Sequence, residues 1–423
     1  MGKLEKYSSY KDSEINWLGN LPSHWKLVRI KHLFKISKKY STDKKPNVLS
    51  LTQKGIVERD ISTNEGQLAQ SYVGYNIIEK DDIVFNPMDL IAGYVAKSIY
   101  NGVISHAYTT LKSLKKIDLD FYEHYFQNWY HQGVLFHLGK GVSTDNRWTL
   151  NNNSLMNLVI PIVPIGESNK IVNYINAKTV QINNVINKKE KLIELLKERK
   201  QIVINDAVTK GLDKNVEFVD SNLKDFGYIP KHWKIMFNRR LFREENRKKF
   251  NKMELPLSLS QVDGVIPSGE MKERSLSPSH RDNFKLCLPD DLVVNRFKGH
   301  LGVFFKSDFR GIITFHYGVF KPSNFVNTKY YEYLFHTQYY KNIYAGASNG
   351  MTIGLQNLSN QNFYDVKSIV PPIEEQNEIV NFIEKEETKI NKTIQFQVEI
   401  ITKLKEYKAS LIDSVVTGKV RVV

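Results

Sequence analysis

Two stretches of the chain repeat apolar residues at three- and four-residue steps without an intervening Gly or Pro. Between Glu167 and Asp206 the stripe is Ile171, Ile175, Ile182, Val185, Ile186, Ile193, Leu196 and Val203. Its counterpart is Ile379, Ile383, Ile390, Ile394, Ile401, Leu404 and Leu411. This period puts the apolar residues on one face of a helix. At about 40 residues each would form a rod of roughly 60 Å, too long for burial in a small domain, so the two are expected to pack on each other. Both start after a proline, Pro164 or Pro371-Pro372, with the acids Glu167, Glu374 and Glu375 suited to a positive helix N-terminus. Gly211 and Gly418 supply the stops.

Ahead of each helix lie short apolar or alternating runs bounded by Gly, Asn, Asp or Pro. Val48 to Thr52, Asp82 to Phe85, Gly302 to Phe305 and Ile312 to Phe315 read as strands. Tyr122 to Tyr130 and Lys329 to Tyr340 are aromatic-rich and read as one helix in each half.

The two halves repeat one plan. Displaced by 208 residues, Leu21-Pro22-Ser23-His24-Trp25-Lys26 falls on Ile229-Pro230-Lys231-His232-Trp233-Lys234, and Leu49-Ser50-Leu51-Thr52-Gln53 falls on Leu257-Ser258-Leu259-Ser260-Gln261. The second half then gains a residue near a Gly turn, so that Asp81 to Asn86 overlies Asp290 to Asn295 and Tyr108 overlies Tyr317. The first offset returns by Pro164-Ile165 and Pro372-Ile373. The expected fold is α+β: two similar domains of mixed β-sheet with helices, alternating with two long helices in an antiparallel coiled coil, pseudo-two-fold overall. The boundaries are 1–165 and 212–373 for the domains (the second with its connector), and 166–211 and 374–423 for the helices.

Charge points to a partner. Of 423 residues, 60 are Lys or Arg and 45 Asp or Glu, a formal net charge of +15; neutralising a polyanion's phosphates releases counterions and drives association. Cys287 is the only cysteine, which excludes an internal disulfide and is expected to be a small core residue in a reducing, cytoplasmic setting. Met1 to Glu14 carries no apolar leader, and Leu155 to Ile165 is too short and too interrupted to cross a bilayer. No membrane role is expected.

Catalytic patterns are incomplete wherever a fragment of one occurs. Gly139-Lys140-Gly141 lacks the spaced upstream Gly and following Ser/Thr of a phosphate loop. Asn86-Pro87-Met88-Asp89 departs from the Asn-Pro-Pro-aromatic motif of adenine methyltransferases at both final positions. The eleven His residues show no metal-ligand spacing, and Asp81-Asp82 and Asp290-Asp291 read as repeated turns.

Arg and Lys read guanine, and Asn and Gln read adenine. In the second domain the candidates are Asn295, Arg296, Lys298 and His300, with Gln261 at a strand end. The first domain offers Asn86, Asp89 and Tyr94, with Gln53 and Lys54 at the matching strand end. Two small-polar loops add Arg147 on one side and Ser348 and Asn349 on the other. Arg239, Arg240, Arg243, Arg247, Lys248 and Lys249 form a dense basic run, readable as a phosphate patch or as a solvated helix face.

The order domain, helix, domain, helix, with Pro371-Pro372-Ile373-Glu374-Glu375-Gln376 opening the second helix, resembles the specificity subunit of type I restriction-modification enzymes along essentially the whole chain. The Ile-Pro-x-His-Trp-Lys stretch and Asn295-Arg296-Phe297-Lys298-Gly299 carry the same resemblance; Pro161 to Ser168 departs from it by lacking Glu-Glu-Gln. The resemblance implies two target-recognition domains that each read half of a split, asymmetric double-stranded DNA site, with a gap of about 5–8 base pairs that is compatible with the rod length. It also implies helices that bind two modification (methyltransferase) subunits and an assembly that recruits restriction subunits. No cofactor is expected in this chain: S-adenosylmethionine, ATP and Mg²⁺ would belong to the partners. The competing reading is a duplicated nucleic-acid-binding coiled-coil scaffold outside restriction-modification; a self-sufficient modification enzyme is the third.

Overall fold

The computed structural model describes residues 4–43, 46–61, 69, 71–91, 93–139, 149–248, 254–271, 284–348 and 357–423. The two apolar stripes form continuous helices, Ile165–Lys210 and Ile373–Val416. Gly211 and Gly418 end them at φ +75° each, a left-handed conformation that costs a glycine least.

Packing divides the chain differently from its linear order. One compact unit is Met1–Glu190 with Val398–Val423, the other Lys191–Gln397. Each unit therefore holds one β-rich domain, the near half of the helix that leaves it and part of the other long helix. Within the first unit Lys408 Nζ donates to Asn183 Oδ1 at 3.1 Å; within the second, Lys200 Nζ donates to Asn391 Oδ1 at 3.3 Å. These are the same two repeat positions with donor and acceptor helices exchanged.

Each domain has a four-stranded antiparallel sheet in the same spatial order. In the first it runs Val95–Lys97, Ile83–Phe85, Thr109–Ser113, Phe34–Ile36; in the second, Phe304–Lys306, Leu292–Asn295, Tyr317–Pro322, Phe242–Glu244. Among the described residues all named strands pair antiparallel, and parallel pairing is confined to the isolated bridges Val48↔Val103 and Pro256↔Ile312. Beside each bridge the backbones nearly touch: a Cβ on Gly102 would lie 2.5 Å from the Asn47 carbonyl, and one on Gly311 2.3 Å from that of Leu255. Only glycine fits there.

One face of each sheet buries the same cluster. Leu49, Ile56, Ile78, Val84 and Ile104 in the first domain correspond to Leu257, Val265, Cys287, Val293 and Ile313 in the second. Cys287 is thus a core side chain, and burial pushes its thiol up to about 12, far from a reactive thiolate. Asp81 and Asp290 take positive φ (73° and 68°) in matching turns.

The other side of each domain rests on an aromatic helix. Leu119–His131 is capped by Asp118, which accepts from Phe121 N, and buries Phe121, Tyr122, Tyr125, Phe126 and Trp129. In the second domain the predicted single helix is two, Thr328–Phe335 and Gln338–Ala347. Thr337 turns its hydroxyl back onto the Leu334 carbonyl at 2.7 Å and takes extended backbone angles, which breaks the helix.

The Trp at the start of each domain ties it to its helix. His24 Nε2 and Trp25 Nε1 both reach the Glu167 carboxylate, at 2.8 and 3.2 Å; His232 and Trp233 reach Glu375 at 2.8 and 3.0 Å. Glu167 therefore performs the job of Glu375 although the surrounding triplet is absent. Tyr7 adds a 2.6 Å bond to Glu167 in the first unit only, and there the strand Leu4–Glu5 pairs with Arg421–Val422.

Candidate nucleic-acid interface

In each domain one hairpin tip extends beyond the buried cluster. Leu49–Thr52 and Gly55–Glu58 close around a two-residue turn, Gln53-Lys54, with both side chains exposed. Leu257–Ser260 and Gly264–Pro267 close around three residues, Gln261, Val262 and Asp263. The residue gained by the second half is therefore located at this tip, and the glycine that closes each turn, Gly55 or Gly264, takes a positive φ (102° and 76°). Ser260 Oγ accepts from Val262 N and Asp263 N at 3.2 and 3.0 Å and fixes the turn, leaving Val262 85% exposed.

A second segment meets this tip in the second domain. Residues Arg296–Leu301 form a short, kinked 3₁₀ turn after the strand Leu292–Asn295. Lys298 Nζ lies 3.4 Å from Gln261 Oε1, so two residues predicted from distant parts of the sequence share one exposed corner. Asn295 acts on the backbone instead, where its Oδ1 accepts from Phe297 N at 3.1 Å and shapes the turn.

Arg296 does not point outward as a reading residue would. Its Nη2 bonds Glu244 Oε1 at 2.5 Å, and its Nε is buried without a partner among the described residues. Glu244 also accepts from Lys285 Nζ at 3.2 Å and from the Asn360 amide. Burial, and then the neighbouring Arg296, hold the Lys285 ammonium below its ordinary pKa.

The corresponding loop of the first domain is held by its own short side chains. Asn86 Oδ1 accepts from Met88 N, Asp89 Oδ1 accepts from Ile91 N, both at 3.1 Å, and the Asn86 carbonyl accepts from Tyr130 Oη at 2.5 Å. Asp89 remains exposed, whereas Asn86 is half-buried. Tyr94 packs its ring against the Leu49–Ile104 cluster, at the place Val303 takes in the second domain, and serves there as a packing residue. Ser348 caps its helix, donating to the Tyr344 carbonyl at 2.7 Å. Arg147, Asn349 and the side chain of His300 lie outside the described residues.

The basic run is not one free patch. Arg247 turns inward to Asp291, at 2.5 and 3.3 Å, and Arg239 pairs with Asp365 at 3.1 Å while lying over the Phe237 ring. Arg240, Arg243 and Lys248 are exposed; Lys249 lies outside the described residues.

Sequence reasoning missed the exposed rings at the same corner. Phe297 is 49% and Phe315 47% exposed, and the His316 ring contacts both, its centroid 6.2 and 3.9 Å from theirs. Exposed apolar rings beside a lysine on a loop were a usable signal, since aromatic faces stack on bases. Glu244, Lys285 and Asn360 were also missed. Among the described residues no group of His, Cys, Asp or Glu gathers as for a metal ion, and no helix is long and apolar enough to cross a membrane.

A duplicated α+β protein on paired long helices, presenting amide, lysine and aromatic side chains at the tips of its sheets, is built as a DNA-binding recognition protein. Residues 215–400 match the family described as the type I restriction modification DNA specificity domain, and the fold of the chain is similar to that of solved chains from type I restriction-modification systems. A chain from a structure addressing complex assembly and conformational transition of the type I R-M system aligns at 13% identity with a TM-score of 0.67, covering 94% of this chain and 98% of that one. The HsdS subunit from Thermoanaerobacter tengcongensis aligns at 14% identity with a TM-score of 0.56, over 94% and 98% of the two chains.

Proposed function

We propose that this chain is the DNA-reading subunit of a type I restriction-modification complex, each domain reading one half of a bipartite, asymmetric site on double-stranded DNA. The observation that carries the reading is the repeated corner: Gln53-Lys54 and Gln261 occupy equivalent hairpin tips over equivalent cores, and Lys298 joins the second. Gln and Lys at a rigid tip supply base-edge and phosphate contacts from one position. In the second domain Gln261 and Lys298 make direct contacts while Asn295 and Arg296 hold the loop. In the first, Gln53, Lys54 and Asp89 make them. Arg147, His300 and Asn349 belong to the proposed contact set by their place in the sequence.

The long helices dock two modification subunits, and through them restriction subunits. Val180 and Val185 in one unit, and Leu192, Leu195 and Ile202 in the other, are large apolar side chains left exposed along the first long helix; Phe396 is 59% exposed on the second. Such surface favours a protein partner. The chain itself performs no chemistry and works in the cytoplasm; S-adenosylmethionine, ATP and Mg²⁺ act in the partners.

Reconstitution tests this. With modification subunits and S-adenosylmethionine, mapping of methylated adenines is expected to yield a split motif. Methylation by this chain alone, or none in any mixture, would refute the proposal. Lys298→Ala and Lys54→Ala should each lower the salt dependence of DNA binding by about one counterion, a slope change near 0.9.

A further inference from the structure

The root of the second domain's exposed corner is charged where that of the first is not. Glu244, at the end of the strand Phe242–Glu244, gathers Lys285, Arg296 and Asn360 on one carboxylate, and its backbone N–H donates to Tyr364 Oη at 2.7 Å. Lys285 is 7% exposed, Glu244 18% and Arg296 24%, so two cations and one anion share a site largely removed from water. The repeat places Ile36, Asn76, Pro87 and Asn152 at the corresponding positions of the first domain.

That comparison separates what the fold needs from what has been added. Asn76 Nδ2 donates to the Tyr108 carbonyl at 2.9 Å, just as Lys285 Nζ donates to that of Tyr317 at 3.1 Å. A neutral amide suffices to hold this strand, so the sheet does not require the charges. What they do in addition is take hold of Arg296, the first residue of the Arg296–Leu301 turn. Its carbonyl accepts from Leu358 N at 2.9 Å, so backbone and guanidinium anchor the same point while Phe297 and Lys298 are turned outward.

We propose that Glu244 is a positioning residue for DNA recognition by the second domain: by holding the Arg296 guanidinium inward it fixes the turn that presents Phe297 and Lys298 beside Gln261. The inference rests on the reading of this corner as a DNA interface. Without the carboxylate, Arg296 faces the Lys285 ammonium with nothing between them to balance either charge. The guanidinium, on a long side chain near the surface, leaves for water and the turn loses its anchor.

Two measurements on the full chain separate the inference from the reading beneath it. Hydrogen exchange reports the anchor without DNA: Glu244→Gln should speed exchange at the amides of Phe297, Gly302, Val303 and Leu358 by about tenfold. Selection from a pool of random-sequence duplexes reports recognition: the wild type should enrich a split motif, and Glu244→Gln should flatten one half of it and leave the other intact. The double variant Glu244→Gln/Lys285→Asn removes the buried ammonium and puts in its place the amide that the first domain carries at Asn76. It should melt like the wild type yet still lack the half-motif, and it carries the test if the single variant fails to fold. Unchanged exchange, an intact half-motif in the single variant, or its return in the double variant would overturn the positioning role. A wild type that enriches no motif would instead sink the DNA reading, with the exchange result still deciding whether Glu244 anchors the turn.

Discussion

The two domains share a sheet, a buried cluster, an aromatic support and a Trp-Glu clamp, and they diverge at the surface corner and directly beneath it. The first supports its exposed loop with the short side chains of Asn86 and Asp89, which bond the backbone locally. The second supports it with an Arg and a Lys converging on Glu244 from distant parts of the chain. The difference shows that the frame constrains the corner weakly: two unlike electrostatic solutions fit one core, so duplicated domains built this way are free to acquire different preferences.

The comparison is most severely tested at its shared part. Trp25→Ala and Trp233→Ala should each cost about 3–5 kcal/mol by urea denaturation, because a large buried ring leaves a cavity. Trp25 should cost more, being fully buried against 5% exposure for Trp233. The reverse order would mean that the two clamps are not equivalent.

A pH difference comes next. His336 stands where the first domain has Gln127. Burial, reinforced by Lys341 and Lys329, lowers its pKa from 6.5 to about 4. The folded state thus holds the ring neutral while the unfolded chain protonates it. Its contribution is fully present above the unfolded value of about 6.5 and is lost as pH falls through about 4. Over that window the wild type should lose about 2 kcal/mol more stability than His336→Gln, measured by denaturation at each pH. Parallel curves would show that the ring titrates normally.

The helix ends offer a finer contrast. A Cβ at Gly418 would lie 2.5 Å from Pro22 Cδ and 2.9 Å from a Trp25 ring carbon, whereas at Gly211 its nearest atom is a movable Glu375 oxygen at 2.8 Å. Both substitutions to Ala meet a positive φ and should cost about 1–2 kcal/mol in thermal melts, with Gly418→Ala the larger. Smallest is the clamp carboxylate. Glu167→Gln and Glu375→Gln should each lose about 1 kcal/mol, the first slightly more because it also weakens the Tyr7 bond.

What the sequence disclosed was whatever depends on short-range pattern. The long helices, the Asp81 and Asp290 turns and the strand preceding Gln261 all follow from period, turn chemistry and repetition. The inserted residue was visible as a register change, and its place at the hairpin tip follows from the strand pairing. What it concealed were pairings made across the sheet. Arg296 looked like a free loop charge because its partner Glu244 lies far away in the chain, inside a run that reads as basic. Comparison with the first half gave no hint, since Ile36 stands there. Tyr94 looked available because a tyrosine can face either way, and only the packing of neighbouring strands decides. The helix break at Thr337 escaped for a related reason: aromatic periodicity continues through it, and one hydroxyl bonding to its own backbone overrides the pattern.

The longer turn at Gln261, Val262 and Asp263 has a bearing on how such a molecule changes over generations. An extra residue inside a strand would send every following side chain to the opposite face, whereas one at the tip leaves the ladder untouched. Single-codon gains and losses there alter the outline offered to a ligand at almost no cost to folding. Diversity can therefore accumulate at the tips while natural selection preserves the strands beneath.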